Sequence, residues 1–311
     1  SARHSNKTLW RRLLIPSALA GAVLLAAGFV IGKRAGPSTA LPTEWRGELL
    51  GGPQVAFWPL VSGDGQMIAF QAVVDGNTQL GVLKPESGDW RTLTSDRSRG
   101  LVNAFSWSRD NSKIYFDRVL DVPNGVFSVS PLGTGERLVL ADAMLPNALP
   151  DGSLLVARIN ADRNVQLYHF WPESGRLDTL DAVGDYNVNY GFFRAFPDGN
   201  AAAFYGRPAR QKDSANRLYA IDLASRRVRR LAPDSNFLAP SMDVTPDGRW
   251  VVILTSTGAV QRIIAVASDG SNRSQTLATL TSPIFGMSVG PDQSLYFDQY
   301  TRPTQLLRYS P

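Results

Sequence analysis

SWSRDNSKIYF, residues 106–116, is a polar turn centred on an aspartate and followed by a β-branched and aromatic run. The same order returns in VSGDGQMIAF at 61–70 and in VTPDGRWVVIL at 244–254. Aligning the repeats places the turn aspartates at intervals of 46, 41, 47, 49 and 45 residues, at Asp64, Asp110, Asp151, Asp198, Asp247 and Asp292. A period of about 40–50 residues is typical of β-propeller blades, each a four-stranded sheet. The sequence therefore predicts an all-β fold, a six-bladed β-propeller.

Turn chemistry explains the recurring aspartates without any catalytic role. An Asp-Gly pair tolerates the positive φ angles of a two-residue hairpin turn, which joins antiparallel strands without splaying them. Four of the six copies carry Gly after the Asp, while the second carries Asn111 and the last carries Gln293. We therefore interpret all six aspartates as structural turn residues.

The last repeat is short, and this predicts how the ring closes. After Asp292 the sequence offers strand-like residues at 295–297 and 305–309 before it ends at Pro311. The segment EWRGELL, 44–50, has the polar-plus-leucine character of an outer strand and lies just before the first repeat. Pairing it with the last blade would protect the open edges of the sheets. Residues 44–311 are then a single domain closed by an N-terminal strand.

The N-terminal region has a different composition. Residues 13–32 are a run of 20 uncharged, mostly apolar residues, enough for one transmembrane α-helix. A basic juxtamembrane segment, 1–12, precedes this run, and a linker at 33–43 follows it. The alternative is a cleaved signal peptide. The excess of Lys and Arg before the run favours the N-terminus inside, so the propeller is predicted to be periplasmic and held at the inner membrane by a single pass.

Composition and charge exclude several classes of function. The chain has no Cys and only two His, so thiolate and His-rich metal sites are excluded and no cofactor is predicted. The net charge of +5 comes from residues 1–46, which hold seven Lys or Arg and one Glu, whereas the remainder holds 25 basic and 26 acidic residues. Because the predicted propeller is almost neutral, nucleic acid is not expected as a partner.

Two families share these features. The first copy, VSGDG through IAF at 68–70, resembles the WD40-like repeats of the TolB-type β-propeller. The stretches WRGELLGGP (45–53), RGLVNAFSWS (99–108) and FWPESGRL (170–177) resemble the membrane-anchored C-terminal propeller of bacterial receptor-type serine/threonine protein kinases. The first resemblance implies a scaffold, and the second implies the extracytoplasmic sensor of a kinase. The chain carries none of a kinase's own motifs, so no kinase activity is expected of it.

Two apparent catalytic signals are interpreted as structural. GMSVG, 286–290, matches the G-x-S-x-G nucleophile elbow, but that triad needs a histidine after the serine, and none follows Ser288. His169 lies within an apolar strand-like run, LYHFW at 167–171, where a packed histidine is the simpler interpretation. No catalytic and no metal-binding residue is therefore predicted.

Recognition is predicted on the face that carries the longer loops, opposite the Asp turns. Seven residues in the fourth repeat are candidates for binding a protein, a small molecule or a glycan: Tyr186, Asn189, Tyr190, Arg207, Arg210, Lys212 and Arg217. The alternative for the arginines and the lysine is protection of sheet edges, and the alternative for the aromatic residues is packing between blades.

The leading functional hypothesis is a non-catalytic, ligand- or protein-binding propeller that serves as sensor or scaffold of a membrane-bound kinase. An envelope scaffold of TolB type, without a kinase, is the alternative. An enzyme with its site at the propeller mouth is a third hypothesis, and it requires titratable groups that converge there.

Overall fold

In the computed structural model, all regular secondary structure of the described residues is β-strand. The structure describes residues 45–53, 55–95, 101–120, 123–185, 192–211, 215–232, 239, 241–257 and 260–299. Within these ranges no helix is long and apolar enough to cross a membrane. The predicted transmembrane helix at 13–32 lies outside the described residues, so the structure provides no counterpart for it.

Five antiparallel sheets of four strands follow one another along the chain, each in sequential strand order. Blade 1 contains β1–β4: Ala56–Val61, Ile68–Val74, Asn77–Leu83 and Trp90–Thr92. Blade 2 contains β5–β8: Val102–Trp107, Ile114–Arg118, Gly125–Val129 and Arg137–Ala141. Blade 3 contains β9–β12: Met144–Ala148, Leu154–Ile159, Val165–Trp171 and Arg176–Gly184.

The remaining strands complete the series. Blade 4 contains β13–β16: Phe193–Ala195, Ala201–Gly206, Arg217–Asp222 and Val228–Arg230. Blade 5 contains β17–β20: Ser241–Val244, Trp250–Thr257, Val260–Ala267 and Ser274–Leu280. A two-stranded sheet follows, made of β21 and β22: Met287–Val289 and Leu295–Phe297.

The hydrophobic core lies between the faces of neighbouring sheets. Phe116 of blade 2 packs in one cluster with Leu80 of blade 1, and Phe204 of blade 4 packs in another with Leu167 of blade 3. Similar clusters join blades 4 and 5, blades 2 and 3, and blade 1 with Tyr296 of β22. Because both faces of the middle strands are covered, these strands are nearly continuous apolar runs without strict alternation. Packing between blades makes each sheet depend on its neighbours.

The predicted fold class, six four-stranded blades closed by an N-terminal strand, is wrong. The described residues contain five four-stranded blades and a two-stranded sheet. Described residues 45–50 form no strand, and Leu49 is 99% exposed, whereas Leu50 packs against blade 1. Each Asp turn marks one β-hairpin, and a hairpin does not require two further strands. The predicted strand at 305–309 lies outside the described residues.

The contact between β1 and the last sheet relies on side chains. The Ser288 Oγ accepts a hydrogen bond from the Val61 N–H at 3.2 Å. The Asp298 carboxylate accepts one from the Trp58 N–H at 2.9 Å. These bonds join residues 227 and 240 positions apart, so they tie the last described strands to the first blade.

The six Asp turns share one geometry. In each turn the carboxylate accepts a hydrogen bond of 3.0–3.1 Å from the backbone N–H two residues later. The residue after the Asp has a positive φ, including Asn111 at 55° and Gln293 at 68°. The turn closes with a bond from the N–H of that residue to the carbonyl three residues earlier. Only one residue has a positive φ, so the loop differs from the predicted two-residue turn.

Replacing Gly152 by alanine will lower the free energy of unfolding by about 1–2 kcal/mol, because an L-residue is strained in the left-handed region. Gly152 has a φ of +84°, and a Cβ added there would meet nothing within 4 Å, so only backbone strain contributes. Gly47→Ala is the matched control, since its Cβ would also be in open space and its φ is not positive. Chemical denaturation of both variants measures the difference, and equal stabilities would contradict the assigned turn geometry.

Candidate functional site

The first strands of all five blades and β21 converge around one axial pocket. Each of these strands contributes to the lining. One residue from each strand in turn is Trp58, Asn103, Asn147, Arg194, Met242 and Met287. The pocket has a volume of about 40 Å³. A cavity needs about 10–15 Å³ of such volume to hold one water molecule, so a few waters or the tip of a side chain would fit. The Asp turns lie at the opposite ends of the same strands.

Hydrogen bonds from side chain to backbone connect neighbouring inner strands. The Ser106 Oγ accepts from the Ala148 N–H, and the Asn147 Oδ1 accepts from the Ala195 N–H, both at 2.9 Å. The Asp243 Oδ2 accepts from the Val289 N–H at 2.8 Å. These bonds fix the inner strands relative to one another, so the pocket has rigid walls.

Two residues that precede prolines, Trp58 and Leu145, have positive φ angles of 60° and 54°. Proline has no backbone N–H and cannot donate a hydrogen bond to the neighbouring strand. The pairing of β1 with β2 accordingly shifts register between Phe57 and Leu60, on either side of Trp58 and its proline. The N–H groups of Trp58 and Leu145 are instead bound by the carboxylates of Asp298 and Asp117, at 2.9 and 2.8 Å. The carboxylates of Asp117, which is fully buried, and Asp298, which is partly buried, therefore hold these strained residues at the pocket wall.

Burial raises the pKa of both carboxyl groups. Asp117 is fully buried, and this burial raises the pKa of its carboxyl to about 6 despite the hydrogen bonds it accepts from Leu145, Ala104 and Asn103. Burial also raises the pKa of Asp298, opposed by hydrogen bonds from Phe285, Trp58 and Gly286. Backbone N–H groups donate to the oxygens of both carboxylates, so we assign Asp117 and Asp298 a structural role.

Arg194 is the charged side chain among the described residues that line the pocket. Its Nε lies 3.5 Å from the Asp243 Oδ1, and the two side chains are 22% and 14% exposed. The Asp243 carboxylate is already a hydrogen-bond acceptor for the Val244 N–H at 2.9 Å and the Val289 N–H at 2.8 Å. The ion pair is therefore loose, and Asp243 is oriented mainly by backbone groups.

The three predicted ligand-binding residues that the structure describes, Arg207, Arg210 and Arg217, do not line this pocket. Arg207 is buried and donates to the Oδ1 atoms of Asp185, Asn216 and Asn164 at 2.7, 3.0 and 2.9 Å. Because Asn164 and Asp185 belong to the loops flanking β11 and β12, Arg207 ties blade 4 to blade 3. Four further candidates lie outside the described residues: Tyr186, Asn189, Tyr190 and Lys212.

The other two candidates differ in exposure. Arg210 is exposed, with its side chain in solvent, while Arg217 is half-buried and donates to the Asn216 carbonyl at 2.8 Å. Outside this set, Arg226 of the same blade bonds Asp178 of blade 3 at 2.9 Å. Several arginines of the fourth repeat thus join neighbouring blades.

Sequence reasoning missed the two pocket residues Asn147 and Arg194, although the repeats contain a signal for them. The position four residues before each turn aspartate lies in the inner strand and is polar in five of the six repeats: Leu60, Ser106, Asn147, Arg194, Asp243 and Ser288. Polar residues in the strand nearest the axis are expected to contact neighbouring inner strands or the pocket.

The two apparent catalytic signals are embedded in packing. Ser288 is 1% exposed and its Oγ accepts from the backbone of β1, so it has no open side for a substrate. His169 stacks on Trp171 with ring centroids 3.7 Å apart, and its Nε2 lies 2.7 Å from the buried Ser153 Oγ. Burial lowers the pKa of His169. Among the described residues, no group of three or more acidic or histidine side chains could hold a metal ion.

No family model matches the chain, and no curated protein matches it in sequence. A putative TolB from Agrobacterium tumefaciens superimposes with a TM-score of 0.64 at 17% identity, covering 81% of this chain and 92% of that one. The fold is that of a TolB-like β-propeller. TolB from Acinetobacter baumannii superimposes with a TM-score of 0.60 at 17% identity over 71% of this chain, and the match spans only about half, 54%, of that chain.

The same fold occurs in an enzyme. Oligogalacturonate lyase from Vibrio parahaemolyticus superimposes on the propeller with a TM-score of 0.53 at 14% identity, covering 80% of this chain and 71% of that one. At such identities a likeness shows the fold alone, because unrelated functions are built on the same fold.

Proposed function

We propose that this chain is a non-catalytic propeller scaffold that binds a protein partner at the pocket face. The pocket face is defined as the side on which the inner strands begin and on which the axial pocket lies. The observation that carries the proposal is the convergence of the inner strands on one rigid pocket. A concave site lined by apolar side chains with a few polar groups is a usual form of binding site, and a volume of about 40 Å³ admits only the tip of a partner's side chain.

The polar groups around the pocket support binding more than catalysis. The carboxylates of Asp117, Asp298 and Asp243 each accept two or more backbone N–H groups, which leaves them poorly suited to act as bases. The Ser288 hydroxyl is likewise engaged with the backbone. A general base must reach its proton within hydrogen-bond distance, and these groups are directed at the protein's own backbone.

The cellular setting of the propeller, an envelope scaffold or the sensor of a kinase, is a further proposal. Likeness to TolB over 92% of one such chain supports an envelope scaffold as the setting. The attachment of a kinase domain rests on the three sequence stretches named above and stays a prediction, as does the periplasmic location. Sequencing the reading frame upstream of Ser1 tests the kinase prediction.

Photo-crosslinking from the two faces tests the proposed binding surface. Phe285 precedes β21 on the pocket face and is 44% exposed, whereas Leu132 lies in the β7–β8 turn on the opposite face and is 72% exposed. A benzoylphenylalanine placed at 285 should crosslink one protein in cells, and the same residue at 132 should not. Equal crosslinks from both positions, or crosslinks from 132 alone, would overturn the proposal.

A further inference from the structure

Arg194 differs from the other buried or half-buried arginines because its guanidinium has no hydrogen bond to any described residue. Its Nε is buried without a hydrogen-bond partner, and the contact of 3.5 Å with Asp243 is longer than a normal charge-assisted bond. Arg207, by contrast, makes three bonds of 2.7–3.0 Å through its terminal nitrogens. A guanidinium carries five N–H donors, so Arg194 has strong unused donor capacity in the pocket.

The amide of Asn147 adds donors beside it. Asn147 is 7% exposed, and its Oδ1 accepts from the N–H of Ala195, the residue next to Arg194. The structure shows no acceptor for the Asn147 NH₂ among the described residues. The pocket therefore combines a cation and an amide donor with apolar walls from Trp58 and Met287.

We propose that Arg194 and the Asn147 amide bind a carboxylate group of the ligand that enters the axial pocket, an inference that rests on the proposed binding role of this pocket. The planar fork of a guanidinium matches the two oxygens of a carboxylate. The Asp243 carboxylate beside Arg194 repels any anion, but it repels a phosphate dianion about twice as strongly as a singly charged carboxylate, so the site favours the carboxylate. The space of about 40 Å³ suits the tip of an acidic side chain or a small organic acid.

NMR titration of the full chain, labelled with ¹⁵N in arginine, tests carboxylate binding directly. The probes are acetate, the side-chain analogue N-acetylglutamic acid amide, its glutamine counterpart and inorganic phosphate. We expect the Arg194 Nε–H signal to shift and saturate with the two carboxylates and not with the glutamine analogue. If the glutamic acid analogue saturates the signal at a much lower concentration than acetate does, the natural carboxylate belongs to a polypeptide. If acetate saturates the signal at the lower concentration, the natural ligand is a free small acid.

Matched variants separate the site from non-specific charge effects. Arg194→Gln should weaken carboxylate binding by about tenfold or more, since hydrogen bonds to charged groups are the stronger ones. Arg227→Gln, which removes an exposed cation from blade 4 that is not among the candidate binding residues, should leave binding unchanged. Arg194→Lys keeps the charge and loses the fork, so it should bind with intermediate affinity. Thermal unfolding of each variant checks that the fold is retained.

Three results would overturn the inference: phosphate binding more tightly than acetate, a shift that never saturates, or an Arg194→Gln variant that retains wild-type affinity. Crosslinking from position 285 distinguishes this failure from failure of the proposed function. If the partner still crosslinks at 285 when carboxylates do not bind, the scaffold role stands and the role of Arg194 is wrong. If the partner does not crosslink at 285 in the wild-type background, the proposed function itself is wrong.

Discussion

Replacing Asp298 by alanine will lower the free energy of unfolding by about 3 kcal/mol or more. The carboxylate accepts the N–H of Phe285 at 2.6 Å, that of Gly286 at 3.1 Å and that of Trp58 at 2.9 Å. The Trp58 and Gly286 N–H groups are part-buried, and each such donor that loses its partner costs about 1–3 kcal/mol, whereas the exposed Phe285 N–H can bond water instead. The Trp58 bond also joins the last sheet to blade 1, so the loss acts on closure as well as on a local loop. Urea denaturation measures the effect.

Asp292→Ala is the control, because it lies in the same two-stranded sheet but is exposed. Its carboxylate accepts the Ser294 N–H at 3.0 Å within its own turn, and removing it should cost only about 1 kcal/mol. An equal loss in the two variants would mean that Asp298 does not hold the contact between the last sheet and β1. A broader, less cooperative transition in Asp298→Ala alone is expected if closure couples the blades.

The stability of the protein will contain a pH-dependent contribution of about 3 kcal/mol from Asp117, lost as the pH rises from about 4 to 6. Burial raises the pKa of Asp117 from 3.8 to about 6, a shift of about two units at 1.36 kcal/mol each. In that pH range the folded state holds the proton and the unfolded state has released it. Folding is therefore favoured by acid in this window, and the advantage is lost once the folded carboxyl ionises.

Comparing the wild type with Asp117→Asn isolates this contribution, since the amide does not titrate. Urea denaturation at intervals from pH 4 to 7 should show the free energy of unfolding falling more steeply with pH in the wild type. The turn aspartates affect stability in a separate, lower pH range. Hydrogen bonds from Ser108 and Ser112 lower the pKa of Asp110 to about 2, so the stabilisation from the ionised Asp110 is lost only below about pH 4. Parallel curves for the two proteins would contradict the raised pKa.

The spacing of the aspartates was sufficient to predict repeated β-sheets of propeller type, and the resemblance of VSGDG through IAF, 61–70, implied the TolB-like fold. An aspartate that binds the N–H two residues later, followed by a residue suited to positive φ, is local chemistry and acts within a few residues. Such a signal can be read from the chain alone. Because the turn signal is local, it predicted one complete blade too many. A turn such as that of Asp292 specifies one hairpin and does not specify the two further strands of a blade.

Closure and the candidate site required the tertiary structure. EWRGELL has the pattern of an outer strand, yet pattern alone does not show whether a partner strand is within reach, and Leu49 remains in solvent. The fourth repeat shows the same limit, because its sequence does not show that Arg207 meets Asn164 and Asp185 of blade 3.

By itself, the sequence determined the all-β class, the propeller repeat and the positions of its turns, because these depend on backbone preferences and hydrogen bonds between near neighbours. The tertiary structure alone decided which sheets are complete, how the last strands join the first blade, and which polar side chains face the axis. Those features depend on residues such as Trp58 and Asp298, 240 positions apart. Their proximity arises only when the packed blades bring the two ends of the propeller together.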